Sequence, residues 1–329
     1  MRVDPAGQLG PSPAQARGWR WRRIGPGLYV PATADGTAPE QRAAEAAARL
    51  PVGGAVGGWA ACRLHGAAFF DGLAPDGRTV LPVPLVLGPA GNIRPFPGAT
   101  LAWDRLEPHD VARCYGVPVT VVERAGFDAM RWAGSVREAT VVADMLCAAR
   151  LTSLRRLADY AAVHAGWRGL PRVHRALGLA SEHSRSPQET RLRLIWSLDA
   201  GLPDSVLVNC RVEDRLGRLL GVADLLDPES GEVVEFDGAD HRSAGRHTDD
   251  LDREDRLRRH GLEVVRFTGL DLLDPDRVVD RLRAGRQRAA FETPADRAWV
   301  ARPAPAGALD ALLDRQDDER WLREQRADW

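Results

Sequence analysis

Hydrophobic and polar positions alternate most regularly in the C-terminal third of the chain, 186–288. Alternation with a period of two predicts strands over 206–213, 219–226, 232–237 and 263–268. Apolar residues at helical spacing, behind polar starts, predict helices over 187–200, 247–260 and 275–288. The predicted order is αβββαβ with a closing helix, which makes this part an α/β domain.

The first two thirds of the chain show a mixed pattern. Helical spacing predicts helices over 39–50 and 57–68 and two or three more within 135–179, whereas 82–98 is β material interrupted by Pro and Gly. We therefore expect an α+β N-terminal part with a helical middle. The predicted organisation has four segments: 1–80, 81–185, 186–288 and a charged tail, 289–329.

Arginine is interleaved with tryptophan near the N-terminus, just before the turn Gly25-Pro26-Gly27. This pattern predicts a hairpin like the wing of a small winged-helix unit, so 1–80 is expected to be a truncated winged-helix-like unit. An exposed hairpin with solvated arginines explains the pattern equally well. If the hairpin binds DNA phosphate, the residues that do so are Arg17, Arg20, Arg22 and Arg23.

The composition excludes several kinds of active site. Lys and Arg total 45 residues, every one of them arginine, and the net charge is −1. A Walker-A loop, a Schiff-base site and a protein-kinase site each need a lysine, so none of them is available. The glycine-rich run 53–58 has neither G-x-G-x-x-G spacing nor a following lysine, and no nucleotide cofactor is expected.

The spacing of the cysteines and the hydropathy of the chain indicate the cellular compartment in which the protein is expected. The four cysteines are far apart and lack the spacing of a zinc site or a disulfide framework. The N-terminus has no apolar signal segment, and no run of about 18 apolar residues occurs in the chain. We expect a cytoplasmic protein that does not bind a membrane.

Two acidic residues are predicted to face each other across a hairpin in the C-terminal domain. With a loop over 228–231, Asp224 lies opposite Glu235, and alternation adds Asp237 to the same face. Two carboxylates about 4 Å apart repel each other by about 4 kcal/mol at an effective dielectric of 20. Full solvation, protonation of one acid, or a cation relieves this repulsion, and Mg²⁺ or Mn²⁺ is the simplest cation.

Three further residues are candidates for the same site, each with a plain structural alternative. Glu189 can be a third acidic ligand, although Ser186 and Glu189 also form a helix capping box. His241 follows the strand and can act as a general acid or base near a metal-bound water, or be a solvated loop residue. Arg253 lies three residues after Asp250, which is the spacing of an ordinary helix ion pair.

These residues carry a resemblance to a known family. The segments SPQETRLRLIWSLDAGLP, GRLLGVADLLDPESGEVVEFDGADH and LEVVRFT resemble the endonuclease-like domain related to very-short-patch repair endonucleases, a branch of the PD-(D/E)XK nuclease superfamily. The resemblance implies a restriction-endonuclease-like core and a Mg²⁺-dependent phosphodiesterase site. In that site Asp224 and Glu235 match the metal-binding acids, and Glu189 matches the acid of the first helix.

One position departs from the superfamily pattern. The usual lysine, two residues after the second acid, is Asp237 in this chain. Its role in steadying the attacking water and the developing charge would pass to His241 or Arg253, and the very-short-patch relatives use histidine there. The resemblance thus places Glu189, Asp224, Glu235, Asp237, His241 and Arg253 at the catalytic site.

The earlier part of the chain resembles AbiEi-type antitoxins more weakly, through RIGPGLYVP and GWAACRLHG. That resemblance implies DNA binding and repression of transcription. Two alternative functions are therefore expected. The first is a DNA endonuclease of repair or phage defence, and the second is a non-catalytic DNA-binding regulator that binds a protein partner or forms a homodimer. The segment 186–288 carries 17 arginines and 22 acidic residues, so it is acidic overall. Because DNA-binding surfaces are normally basic, the residues that bind DNA must lie mainly in the rest of the chain.

Overall fold

The computed structural model describes residues 1–4, 8, 10–238 and 244–327, without the side chains of 244–251, 324, 326 and 327. The chain is mixed α/β and divides into two compact units: unit 1 comprises 1–134 and 159–173, and unit 2 comprises 135–158 and 174–329. The predicted boundary at 185 falls inside unit 2.

The helices are α1 Pro39–Ala47, α2 Gly58–Leu64, α3 Val122–Trp132, α4 Val136–Ala148, α5 Leu154–Ala162, α6 Leu170–Leu177, α7 Pro187–Leu194, α8 Ala244–Arg259, α9 Pro275–Arg288 and α10 Ala308–Ala327. The strands are β1 Trp21–Gly25, β2 Leu28–Pro31, β3 Ala55–Val56, β4 Val83–Val86, β5 Ala99–Ala102, β6 Val111–Cys114, β7 Val117–Thr120, β8 Leu207–Asp214, β9 Leu219–Leu226, β10 Glu232–Asp237, β11 Glu263–Thr268 and β12 Trp299–Arg302.

Unit 2 contains a mixed sheet of five strands in the order β11-β10-β9-β8-β12. Strands β8, β9 and β10 form an antiparallel meander, and β11 runs parallel to β10 after the crossover through α8. The observed order α7-β8-β9-β10-α8-β11-α9 confirms the predicted αβββαβ arrangement with its closing helix. The strands 219–226, 232–237 and 263–268 and the helix 275–288 have the predicted bounds.

Both faces of this sheet are covered, because the central strands are apolar on each side. One face packs Leu225, Val234 and Phe267 against α7 and α9. The other packs Leu226, Val233 and Val264 against Leu257 of α8. The candidate site residues belong to the same strands and helices, so the two cores determine where those residues lie.

Helix α7 is anchored to α4 by a buried charged cluster. Asp144 of α4 accepts hydrogen bonds from Thr190 Oγ1 at 2.8 Å and Arg193 Nη2 at 2.7 Å. Burial raises the pKa of the Asp144 carboxyl, and the guanidinium of Arg193 opposes that rise. The helix predicted over 187–200 is regular only to Leu194 and continues as a π-helical turn through Asp199.

The C-terminal segment, for which the sequence predicts only a charged tail, adds regular structure to unit 2. Strand β12 pairs with β8 as an edge strand, with Trp299 opposite Asp214, and Trp299 joins one core. No helix in the described part of the chain combines the length and apolar character that crossing a bilayer requires.

Unit 1 holds the predicted N-terminal hairpin and a second sheet. Strands β1 and β2 pair antiparallel, with Arg22 opposite Val30 and Arg23 opposite Tyr29. The sheet has the order β5-β4-β3-β7-β6, and its buried strand residues include Val56, Leu85 and Val119. The pattern over 82–98 indicates β material correctly, but it gives no sign of the β6–β7 hairpin.

Candidate functional site

The turn between β9 and β10 sets the register on which the predicted site depends. Asp227 N donates to Glu232 O at 2.9 Å and Gly231 N donates to Asp227 O at 3.0 Å, so the loop is 228–231 as predicted. Leu226 pairs with Val233, as the sequence predicts. If the same register is extended by two residues from this pair, Glu235 stands across from Asp224.

The two strands separate where these acids lie. Asp224 Oδ2 accepts a hydrogen bond from Phe236 N at 2.8 Å, so a carboxylate replaces a strand partner of that amide. The pKa of Asp224 is raised to about 7, mainly by burial and to a smaller extent by the charges of Glu189 and Glu235, while the Phe236 N–H opposes the rise. Asp224 is therefore partly protonated near neutral pH and lies within the electrostatic reach of both other predicted acids.

Strict alternation along β9 is interrupted at this level. The sequence puts Ala223 on the same face as Leu225, but Ala223 packs with Cys210 and Leu226 in the opposite core. The interruption coincides with Asn209 of β8, which has φ 46° and lies in the register position across from Asp224. A left-handed residue within a strand changes the direction of the neighbouring side chains.

Asn209 also connects the first helix to the sheet. Its Nδ2 donates to Glu189 Oε2 at 2.7 Å and to His183 O at 2.8 Å. Sequence reasoning missed this residue, although an asparagine between Val208 and Cys210 is a usable signal, since Asn tolerates left-handed backbone. Asn209 thus fixes the position of one predicted acid.

Glu189 fulfils its structural role as well. Ser186 Oγ accepts from Glu189 N at 3.2 Å, which confirms the helix cap, and Glu189 Oε2 accepts from Arg185 N at 2.9 Å. The return bond reaches the residue before the N-cap rather than the N-cap itself. The carboxylate is therefore held by Asn209 and a backbone amide beside the site.

Glu235 is buried, with 4% of its surface exposed, and it is paired with two arginines. Arg253 Nη2 lies 2.9 Å and Arg266 Nε 3.3 Å from Glu235 Oε2. Arg266 stands beside Glu235 in the parallel register of β10 and β11 and also contacts Glu254 Oε2 at 3.1 Å. Arg253, which was predicted as a candidate substitute for the missing lysine, thus contacts Glu235, and so does Arg266, which had not been predicted.

Two predicted site residues remain, Asp237 and His241. Asp237 ends β10 and is exposed, opposite Thr268 of β11. The position of the superfamily lysine therefore offers no positive charge, and the nearby guanidinium groups come from α8 and β11. His241 lies outside the described residues.

The described side chains do not form a ready metal centre. In 10–238 and the described side chains after it, no group of three or more His, Cys, Asp or Glu residues is arranged to hold a metal ion. The predicted convergence of Asp224, Glu235 and Glu189 is therefore not reached, because Glu189 is turned toward Asn209 and Glu235 toward two arginines. Mg²⁺ commonly uses only one or two carboxylates together with water and substrate phosphate.

In unit 1, the predicted DNA-contacting arginines have two kinds of surroundings. Arg22 is paired with Glu45 of α1 at 2.6 Å and holds the hairpin to that helix. Arg17, Arg20 and Arg23 are exposed, and Arg20 lies 5.3 Å from the centre of the Trp19 ring. Three of the four predicted arginines are thus exposed to solvent, Arg23 on β1 and the other two in the segment before it.

Comparison with known proteins adds no family. No family model, no curated protein and no solved structure matches this chain.

The conformation of Asn209 leads to a prediction about stability. We expect Asn209→Gly to lose the bonds to Glu189 and His183 but to keep the backbone, at a cost of about 1 kcal/mol in the free energy of unfolding. Asn209→Ala loses the same bonds and adds the strain of a left-handed alanine, about 1 kcal/mol more. Urea denaturation of both variants measures the difference. Equal stabilities would show that φ at residue 209 is not strained.

Proposed function

We propose that the protein is a metal-dependent DNA endonuclease in which unit 2 is a restriction-endonuclease-like core and Asp224 and Glu235 hold Mg²⁺ or Mn²⁺. The observation that carries the proposal is the β9–β10 register, in which Leu226 pairs with Val233 and Leu225 with Val234. Extended by one more pair, this register sets the half-buried Asp224 across from the buried Glu235, and Glu189 is close enough to raise the pKa of Asp224. The element order αβββαβ in a mixed sheet supports the same proposal.

The donor chemistry of the site is compatible with a hard cation. Asp224 and Glu235 offer carboxylate oxygens, which Mg²⁺ and Mn²⁺ prefer. Burial and, to a smaller extent, the charges of Glu189 and Glu235 raise the pKa of Asp224, and a cation beside it would favour the ionised carboxylate. Glu189, held by Asn209, would be an outer acid of the site. When bound, the ion supplies an activated water and charge neutralisation at the phosphate.

The chain itself supplies positive charge at the same place. Arg253 and Arg266 bring two guanidinium groups to one carboxylate, and a guanidinium binds phosphate oxygens as well as it binds carboxylate oxygens. In this proposal the two arginines hold the scissile phosphate against the acids. We propose that the segment 1–80 is a truncated winged-helix-like unit whose exposed arginines hold the duplex.

A second function is favoured by one observation. The same pairing of Glu235 with Arg253 and Arg266 neutralises the acid without any metal, as in a scaffold that no longer hydrolyses DNA. In that case we propose a DNA-binding regulator of the antitoxin type, in which unit 2, proposed to have a nuclease-like fold, binds a protein partner or a second copy of the chain. Such a protein binds its target DNA but leaves it intact.

A plasmid nicking assay decides between the two functions. Supercoiled plasmid is incubated with the full chain in millimolar Mg²⁺ or Mn²⁺, and in parallel with EDTA. The nuclease proposal expects open-circular plasmid only in the metal samples. Intact plasmid in all samples, together with a retained mobility shift, would favour the regulator.

A further inference from the structure

A groove at the turn of the N-terminal hairpin, within unit 1, is lined by three arginines and, among the described residues, by no acidic residue. It has a volume of about 500 Å³, and its polar lining comes mainly from Arg2, Arg49 and Arg94 above apolar residues such as Leu28 and Ile93. In the described part of unit 1, these three arginines make neither an ion pair nor a side-chain hydrogen bond. Other arginines of the unit, such as Arg22 and Arg63, pair with glutamates.

Arg49 is held in place by packing. Its guanidinium carbon lies 3.6 Å from the centre of the Phe96 ring, and its Cδ and Nε lie close to Gly25 of the hairpin. Stacking on a ring fixes the plane of a guanidinium and leaves its N–H edge available for an anion. A cation positioned before its ligand arrives loses little conformational freedom on binding.

We propose that this groove binds the backbone phosphates of duplex DNA. The hairpin that borders it carries the exposed Arg23, and the exposed Arg17 and Arg20 lie just before its first strand, so further positive charge is present along this segment. A series of separate guanidinium groups fits a polymer of phosphates better than a single phosphate group. The choice of DNA as ligand rests on the proposed function, but the groove itself is not among the residues assigned to that function.

The test measures binding without hydrolysis. Anisotropy of a short labelled duplex is recorded in EDTA over a range of salt concentrations for the full-length wild type and for Arg49→Gln. The variant is expected to bind about tenfold more weakly, with a salt slope of log K that is smaller in magnitude by about one. The matched control, Arg168→Gln, removes an exposed arginine of the same unit that does not line the groove, and it is expected to keep the wild-type slope.

A second variant keeps the test decisive if Arg49→Gln does not fold. The double variant Arg2→Gln, Arg94→Gln changes only exposed side chains and is expected to lower the slope by about two. Groove variants that bind like Arg168→Gln, or a wild type that does not bind the duplex, would overturn the proposal.

Free phosphate is the other source of the same chemistry. Inorganic phosphate is expected to displace the duplex no more than chloride of equal ionic strength does. Stronger displacement that disappears in Arg49→Gln would assign the groove to a small phosphorylated ligand and overturn the DNA assignment. Binding is measured in EDTA and nicking in Mg²⁺ or Mn²⁺, so a protein that binds through the groove but nicks nothing in either metal would contradict the nuclease proposal and leave this inference intact.

Discussion

Asp224→Asn is expected to reduce metal-dependent nicking by more than about 100-fold, since even outer partners of metal ligands cost 10–100-fold when removed. The substitution keeps the shape of the side chain and removes the charge that would bind the cation. The amide can still approach Phe236 N through its oxygen, so the hydrogen bond at 2.8 Å is retained and the strands keep their positions. The loss should therefore appear in activity and not in folding.

The control for this prediction is Asp204→Asn, which changes an exposed acid of the same unit. Nicking rates for wild type and both variants are compared at equal protein and metal concentrations, with melting curves to confirm folding. If Asp224→Asn nicks plasmid at the wild-type rate, Asp224 is not a ligand, and the role given to the β9–β10 register is wrong.

Glu232→Gln is expected to stabilise the protein at alkaline pH, by an amount on the order of 5 kcal/mol at pH 9. Glu232 is fully buried, and both of its carboxylate oxygens lack a hydrogen-bond partner among the described residues. Burial raises its pKa to about 8, the carboxylates of Asp227 and Glu263 raise it further, and Arg286 and Arg288 oppose the rise. The folded protein thus holds a proton that the unfolded chain releases near pH 4.3.

The direction of the pH dependence follows from the number of protons that Glu232 binds in the folded and in the unfolded protein. Between pH 4.3 and about 8 the unfolded state binds fewer protons at this residue, so the stability present at low pH is lost as the pH rises through the folded pKa. Glutamine resembles the protonated acid and cannot ionise. The wild type should therefore lose stability relative to the variant as the pH rises, and the two should be nearly equal at pH 5.

Urea denaturation from pH 5 to 9 measures this difference, with Glu292→Gln as a control at an exposed position of the same unit. Parallel stability curves for wild type and Glu232→Gln would mean that Glu232 ionises normally in the folded protein. A carboxyl group that ionises normally needs water or hydrogen-bond donors around it. Glu232 is fully buried, and its oxygens have no hydrogen-bond partner among the described residues.

The sequence predicts the strands of unit 2 well because their patterns are local. The turn 228–231 contains Pro and Gly at hairpin positions, and the apolar residues on each side determine the register that puts Asp224 across from Glu235. The cap of α7 is equally local, since Ser186 and Pro187 define its first turn. Each of these features depends on residues that are close together in the chain.

The features that sequence reasoning missed depend on contacts between distant residues. Arg266 reaches Glu235 only through the parallel pairing of β10 with β11, for which the alternating pattern gives no register. Strand β12 joins β8 across about 85 residues, and neither segment indicates the other. The left-handed Asn209 changes the direction of side chains in a neighbouring strand, an effect that period-two alternation excludes by construction.

The central claim is that Asp224 and Glu235 together hold a divalent cation. Thermal melting of the full chain in increasing Mg²⁺ or Mn²⁺, up to millimolar concentrations, tests it most directly, because a ligand that binds only the folded state raises the melting temperature. We predict a concentration-dependent rise for the wild type, with Ca²⁺-free buffer and matched ionic strength, and no rise for Asp224→Asn. An unchanged melting temperature for the wild type, or an equal rise in the variant, would contradict the account.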